Sequence, residues 1–369
     1  MKKNKIIILH DTFLYKWWWE RLILMMWKIL KADIATWFFS RWSFNLRKEW
    51  FKWKMIEVSG EIFKKWLRHL KLKKDFIFKT KFLKDYNTVI FSWDSISAVR
   101  QIKNNKNIKK IYYCHTPPRY LYDLKNLYLK KINFFLKPIF CILSYVFKKM
   151  YENDISKMDL ILTNSKNTQK RIKKFLWLKS TVLYPPVNLK EFKYISQKDF
   201  YLSFARLSDA KRVDKIVRAF KLMPDKKLII IYWENDPAKD KVFFLAKNCK
   251  NIKFVTLHDN VWFTNYVWEC IASIYIPIDE DFWMSPVESM AAWKPVIWVN
   301  EWGLKETIID KKTGVLIPSS VKISDIVNAV KYLTAKKCLS MRYDCEKRAK
   351  DFSIEKFEKE LLKECLKHS

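Results

Sequence analysis

Two glutamates eight residues apart, at the ends of the stretch E-D-F-W-M-S-P-V-E (280–288), carry the clearest chemistry in this sequence. A carboxylate accepts paired hydrogen bonds from vicinal hydroxyls, so Glu280 and Glu288 suit a polyhydroxylated ligand. Ser285, Pro286 and Glu288 also read as a capping box with proline at the first helical position, which accounts for Glu288 but not for Glu280. Arg206 and Lys211 follow an apolar run in an R-x4-K spacing. Arginine offers a bidentate fork and lysine a point charge, both suited to negative charge growing on a leaving phosphate. Asp279, Glu280 and Asp281 resemble an acidic triplet that holds a divalent cation on a diphosphate. Their late position in the chain, and a basic pair that already supplies positive charge, argue against that use, so neither metal nor cofactor is expected. His115 closes another apolar run, with Arg119 and Tyr120 just after it. A lone histidine is more often structural than functional.

The elements that must position these residues alternate between strand-like apolar runs and helical patterns. Strands are expected at 5–10, 88–92, 109–115 and 158–165, and again at 200–206, 227–233, 252–256, 271–278 and 294–300. Such alternation predicts an α/β chain with two doubly wound parallel sheets. Pro185 and Pro186 disfavour helix, so a linker is expected at 186–199 between an N-terminal domain at 1–185 and a second at 200–350. Residues 351–369 read as a C-terminal helix that packs back towards the N-terminal domain. Two such Rossmann-like domains facing a cleft would present their ligands at the carboxyl ends of the strands.

Glycine is the anomaly in composition. The chain of 369 residues has 3 glycines and 18 tryptophans, where average usage predicts roughly 26 glycines. Helix ends and strand-to-helix loops need positive φ or a bare backbone, which glycine supplies and tryptophan does not. The tryptophans sit at such places: Trp17, Trp18 and Trp19 between the first strand and a helix, Trp283 before M-S-P-V-E, and A-A-W-K-P-V-I-W-V-N-E-W at 291–302. The pattern is that of a gene whose UGA codons mean glycine but have been written as tryptophan. A truly tryptophan-rich protein with sugar-stacking surfaces is the alternative.

With tryptophan read as glycine, the region 280–308 resembles the donor-binding signature of retaining family-four GT-B glycosyltransferases. The resemblance extends over about residues 5–319 and includes W-W-W-E-R at 17–21, Y-Y-C-H-T-P-P-R-Y-L-Y-D at 112–123 and F-A-R-L-S-D-A-K-R-V-D at 204–214. It implies a GT-B fold, an acceptor-side N-terminal domain, and a second domain that binds a nucleotide sugar. It implies further that Arg206 and Lys211 meet the donor diphosphate, Glu280 the transferred sugar and Glu288 the ribose, with Phe282, Trp283, Met284 and Ser285 lining the donor. His115 is then placed near the reacting carbon. Trp17, Trp18, Trp19, Arg119 and Tyr120 are placed at a phosphate or acceptor loop, which literal indoles would obstruct. The expected reaction is transfer of a hexose, mannose from GDP-mannose in the first instance and glucose from UDP-glucose in the second, with retention, to a glycan or lipid-linked acceptor. A GT-B epimerase or phosphorylase shares the architecture, and a non-catalytic basic binding protein follows if the tryptophans are literal.

The net charge of +34 suggests an anionic partner such as a membrane surface, a nucleotide sugar or nucleic acid and does not choose among them; the frequent Lys, Ile, Asn and Phe of an AT-rich genome account for it as readily, and no nucleic-acid recognition module is visible. The stretch 132–147 is apolar, flanked by Lys130, Lys131, Lys148 and Lys149, and too short to span a bilayer. It reads either as a core helix or as one that lies on lipid headgroups. Seven scattered cysteines form no C-x-x-C pair, and the basic start leads into a first strand and not a signal peptide, so a cytoplasmic, peripheral protein is expected.

Overall fold

The computed structural model describes residues 5–14, 18–40, 53–60, 68–192, 194–256, 260–278, 284–301 and 306–366. The chain divides into two compact units, residues 1–184 with 358–369, and residues 185–357.

The first unit is built on seven parallel strands: β1 (Ile6–His10), β2 (Asp33–Thr36), β3 (Met55–Glu57), β4 (Thr88–Ser92), β5 (Lys109–Cys114), β6 (Leu160–Thr163) and β7 (Thr181–Val182). Their order across the sheet is β3-β2-β1-β4-β5-β6-β7. In β1 the register pairs Ile8 with Ile34 on one side and with Ile90 on the other. Every residue of β1 and of β4 is buried, because helices cover both faces of a parallel sheet and leave no polar side to the strand. One face packs Ile7, Leu9, Val89, Phe91 and Tyr112 against Phe76 and Trp37. The end of the chain joins this unit through Lys109, whose Nζ donates to the carbonyls of Glu364 (2.9 Å) and Cys365 (3.0 Å).

The second unit repeats the plan with β8 (Tyr201–Ser203), β9 (Leu228–Tyr232), β10 (Ile252–Thr256), β11 (Ser273–Tyr275), β12 (Val296–Val299) and β13 (Gly314–Ile317) in the order β10-β9-β8-β11-β12-β13. The helix Val213–Lys221 buries Val213, Ile216, Val217 and Phe220 at helical spacing. Gly314 is a glycine that the packing demands, since a Cβ there would lie 2.1 Å from the Val296 carbonyl oxygen of the neighbouring strand. The stretch 186–199 belongs to this unit, with the Val187 amide bonded to Phe352 O (2.8 Å) and Lys198 N to Glu269 O (2.7 Å).

In each unit the strand order reverses beside its first strand, at β1/β4 and at β8/β11. The crevice at the carboxyl ends of such strands is where open α/β sheets take ligands.

Seven non-glycine residues among those described have positive φ, and three are tryptophans: Trp93 (59°), Trp177 (58°) and Trp293 (63°). A bulky side chain in this region is strained by roughly 1–2 kcal/mol. Trp177 makes the case plainest. It ends the helix Lys166–Leu176 in the left-handed conformation, its amide bonded to Lys173 O, while its side chain is 86% exposed. That is a glycine's position and a glycine's hydrogen bond.

Candidate active site

At the switch point of the first unit, β1 ends in His10 with Asp11 next, and β4 ends in Ser92, with His115 following β5. Ser92 Oγ bridges the two imidazoles, 3.2 Å from His10 Nδ1 and 3.0 Å from His115 Nε2. Ser95 Oγ has both Leu9 O (3.0 Å) and Ser92 O (2.7 Å) within reach of its one proton, and the Ser95 amide donates to Asp11 Oδ1 (2.6 Å), so the turn after β4 is tied to the end of β1. Behind it, Lys73 Nζ lies 2.7 Å from Asp94 Oδ1 and His69 Nδ1 lies 3.8 Å from Oδ2.

Burial sets the charges here. It holds the His10 imidazole down at about 3 and, with repulsion from His10, keeps His115 well below the usual range, so both rings are neutral. Burial, reinforced by Asp94, pushes the Asp11 carboxyl well above its ordinary value. Burial opposes ionisation of Asp94 too, but Lys73 and His69 overcome it and hold that carboxyl down.

His115 is 3% exposed, and aromatic rings close it in. Trp93 stacks on the imidazole at 4.9 Å and 10°, Trp18 meets it edge-on at 5.7 Å, and Trp19 reaches Trp93 at 6.2 Å. His115 Nδ1 and the indole nitrogens of Trp18 and Trp93 are buried without hydrogen-bond partners among the described residues. Buried donors in that state are costly, and two of these indoles are at positions where the sequence calls for glycine or the backbone has positive φ. Glycine at 18, 19 and 93 would remove the rings that cover the histidine. Trp93 was not singled out by the sequence, although it stands directly after the strand T-V-I-F-S.

Arg119 and Tyr120 lie in a short 3-10 turn, Arg119–Leu121. Arg119 pairs with Asp123 (2.9 Å), which Arg171 also approaches, and these two arginines lower the Asp123 carboxyl against the effect of its burial. Burial raises the Tyr120 phenol above its usual range. Trp17 lies outside the described residues.

In the second unit Arg206 and Lys211 both fall in the loop that follows β8. Arg206 is half exposed and its Nε lies 3.3 Å from Asp236 Oδ1; Asp236 also accepts from the amides of Leu207 (2.9 Å) and Trp233 (3.1 Å). Asp236, thirty residues away in sequence, thus fixes the base of the loop. Lys211 is buried and its Nζ donates to Tyr275 Oη (2.6 Å) at the end of β11, lying 5.1 Å from that ring's centre. Tyr275 stacks on Trp298 of β12 at 4.7 Å, and the Trp298 indole nitrogen is buried without a partner among the described residues. Arg212, at positive φ, completes the tie: its guanidinium donates to Ile276 O (2.6 Å), Pro277 O and Ser319 O (2.8 Å). The Ile278 amide bonds to Ala210 O (2.8 Å), so the loops after β8 and β11 are stitched together. Neither Asp236 nor Arg212 was legible in the sequence as a positioning residue.

Met284, Ser285 and Glu288 belong to the start of the helix Ser285–Ala291 and to the loop that leads from β11 into it. The capping box expected of Ser285 and Glu288 is not formed. Met284 is the cap, no side chain accepts there, and the Glu288 amide bonds to Met284 O (2.9 Å), because the helix starts one residue earlier than the box requires. Proline does occupy the first turn. Glu280, Phe282 and Trp283 lie outside the described residues, as do Asp279 and Asp281.

The second unit therefore presents, at one switch point, a half-exposed guanidinium, a lysine ammonium held on a tyrosine, and a helix start bearing a glutamate. Residues 188–352 match the family described as Glycosyl transferases group 1. That matched segment contains Arg206, Lys211 and Glu288. It is 28% identical over 295 residues to an alpha-1,3/1,6-mannosyltransferase, ALG2, of Dictyostelium discoideum, a match that takes in 66% of this chain and 66% of the relative's length. Among solved structures it is similar to the sucrose-phosphate synthase of Thermosynechococcus elongatus, with a TM-score of 0.76 at 13% identity and all of both chains covered. It is also similar to Anabaena HepE in complex with UDP and glucose, with a TM-score of 0.71 at 12% identity, over 99% of this chain and 100% of that one. At such identities the structural likeness establishes the fold, two parallel-sheet α/β units of the GT-B class, and nothing about substrate.

Proposed function

We propose that the protein is a glycosyltransferase that moves a hexose from a nucleotide-sugar donor to a glycan or lipid-linked acceptor with retention of configuration. Mannose is the sugar that the mannosyltransferase relative favours, and GDP-mannose is the donor that the motif resemblance implies. One observation carries the proposal: Arg206 and Lys211 both follow β8, the strand beside which the order reverses, in the unit that matches the glycosyl transferase family. The donor diphosphate is bound there as a leaving group, and the two cations stabilise the charge that grows on it, without a metal. Glu288 and Glu280 hold donor hydroxyls. The acceptor hydroxyl attacks from the face that the diphosphate leaves, and His115, neutral and hydrogen-bonded to Ser92 in the first unit, is assigned to orienting a hydroxyl.

The same proposal includes glycine, in the working protein, at the positions written here as tryptophan. Three tryptophans at positive φ, and the buried unpartnered indoles at 18, 93 and 298, support it. Gene sequencing and mass spectrometry of the native protein test this part: UGG codons, or tryptophan in the peptides, would overturn it. The transferase part is tested with the glycine-bearing protein by donor-binding calorimetry across GDP- and UDP-sugars. Binding of GDP-mannose that Lys211→Ala and Glu288→Ala each weaken is expected; undiminished binding in both variants would remove the proposed site.

A further inference from the structure

The apolar stretch left open by the sequence resolves in a way that neither a core helix nor an ordinary surface helix would. The helix Lys137–Ile155 buries only Ser144, Tyr151, Asp154 and Ile155. Its last turns are anchored: Tyr151 packs against Tyr112 at 6.3 Å, and Asp154 pairs with Arg100 at 2.7 Å. Its first half carries an apolar stripe facing solvent. Ile139 (55% exposed), Ile142 (64%) and Val146 (44%) recur at helical spacing, and Phe134 (75%), Phe135 (83%) and Leu136 (54%) extend the stripe into the preceding 3-10 turn. Singly exposed apolar residues are ordinary, but a contiguous strip of this kind marks an interaction surface.

Lysines edge this strip. Lys130 and Lys131 precede it, Lys137 lies within 5.7 Å of the Phe134 ring, and Lys148 and Lys149 follow it, Lys149 lying 6.0 Å from the Tyr145 ring. Between Asp123 and Glu152 the sequence has no acidic residue. We propose that residues 130–149 form a docking surface for anionic lipid, with the stripe entering the headgroup boundary and the lysines meeting phosphates around it. Long lysine stems can cover apolar surface while their ammonium groups stay at the interface. A second copy of the chain is the wrong occupant, because a two-fold contact would place five lysines against five. No helix among the described residues is long and apolar enough to cross a membrane, so the mode is attachment. This inference rests on the exposed face alone and not on the transferase reading.

Co-sedimentation of the full chain with vesicles of equal parts phosphatidylcholine and phosphatidylglycerol tests it. Binding should fall at least about tenfold in Ile139→Asp/Ile142→Asp and in the fourfold Lys→Glu variant at 130, 131, 148 and 149. A charge-matched control, Lys→Glu at the exposed Lys247, Lys250, Lys253 and Lys331, should retain it. Circular dichroism melts check that each variant is folded, which exposed positions permit. Binding unchanged by the aspartates, an equal loss in the control, or self-association that the aspartates abolish would each overturn the proposal.

Discussion

The two units share a strand order and differ in what they place at its reversal. In the first, the ends of β1, β4 and β5 hold neutral imidazoles bridged by Ser92, an Asp11 carboxyl pushed up by burial, and three indoles that close the histidine in. In the second, the corresponding strand ends hold a half-exposed arginine and a lysine resting on Tyr275. The backbone plan settles where a site lies, and the loops settle what it can bind. The second unit has a half-exposed cation at its reversal; the first has hydrogen-bonding groups there whose protonation burial has fixed.

That contrast breaks first on turnover. In the glycine-bearing protein, Lys211→Ala should lower kcat about 10²- to 10³-fold, as expected for a preorganised charge on a leaving group, and Arg206→Ala should act in the same direction. His115→Ala should lower it less, because it removes no charge from the diphosphate. Steady-state rates that fall further for His115→Ala than for Lys211→Ala would reverse the assignment of the two units.

Acid separates the units next. His10 has its pKa held at about 3 in the fold against an ordinary 6.5, so below pH 6.5 the unfolded chain takes up a proton that the folded chain refuses. Stability therefore falls as pH falls, by about 3 kcal/mol from this group between pH 7 and 4. His10→Gln should flatten the acid limb of a denaturant-midpoint profile; a limb of unchanged steepness would show that His10 is not its source.

The alkaline side belongs to the second unit. Lys294 is buried, donates to Ser196 O (2.8 Å) and lies 4.6 Å from the Tyr194 ring, and burial lowers it from 10.5 to about 8. Between those values the unfolded lysine is charged while the folded one is neutral. Stability should therefore rise with pH, by about 2 kcal/mol between pH 7 and 10 after allowance for solvent screening. Lys294→Met should remove that rise from the thermal midpoints, whereas His10→Gln should leave it in place.

Much of this architecture is legible in the chain because a parallel sheet covered on both faces writes its strands as unbroken apolar runs. Ile6–Leu9, Val89–Phe91, Ile111–Cys114 and Leu228–Ile231 are of that kind. The strands that were not anticipated, β2 (D-I-A-T), β3 (M-I-E), β7 (T-V) and β13 (G-V-L-I), are two to four residues long, too short for periodicity to separate them from loops. Arg206 and Lys211 were visible because five residues and one loop hold them. Ser92 with His10, or Asp236 with Arg206, was not, since only folding brings together groups 82 and 30 residues apart. The stripe at 135–146 was visible as a stripe, but periodicity does not say whether its apolar side faces in or out.

The smallest effect bears on tryptophan itself, one residue from each unit. Trp177 and Trp293 have nearly the same φ, 58° and 63°. Trp177 projects into solvent, whereas Trp293 stacks on Tyr194 at 5.7 Å with Arg342 5.0 Å from its ring. Replacing Trp177 by glycine relieves backbone strain and surrenders little packing, so the chain as written should gain about 1 kcal/mol. Glycine at 293 relieves the same strain but gives up an aromatic stack and a cation–π contact of similar size, leaving a change near zero. Differential scanning calorimetry should show the midpoint rising for Trp177→Gly and hardly moving for Trp293→Gly. Equal rises would mean that the stack around Tyr194 contributes nothing; a fall at 177 would mean that its indole, exposed as it is, stabilises the helix end more than the left-handed backbone costs.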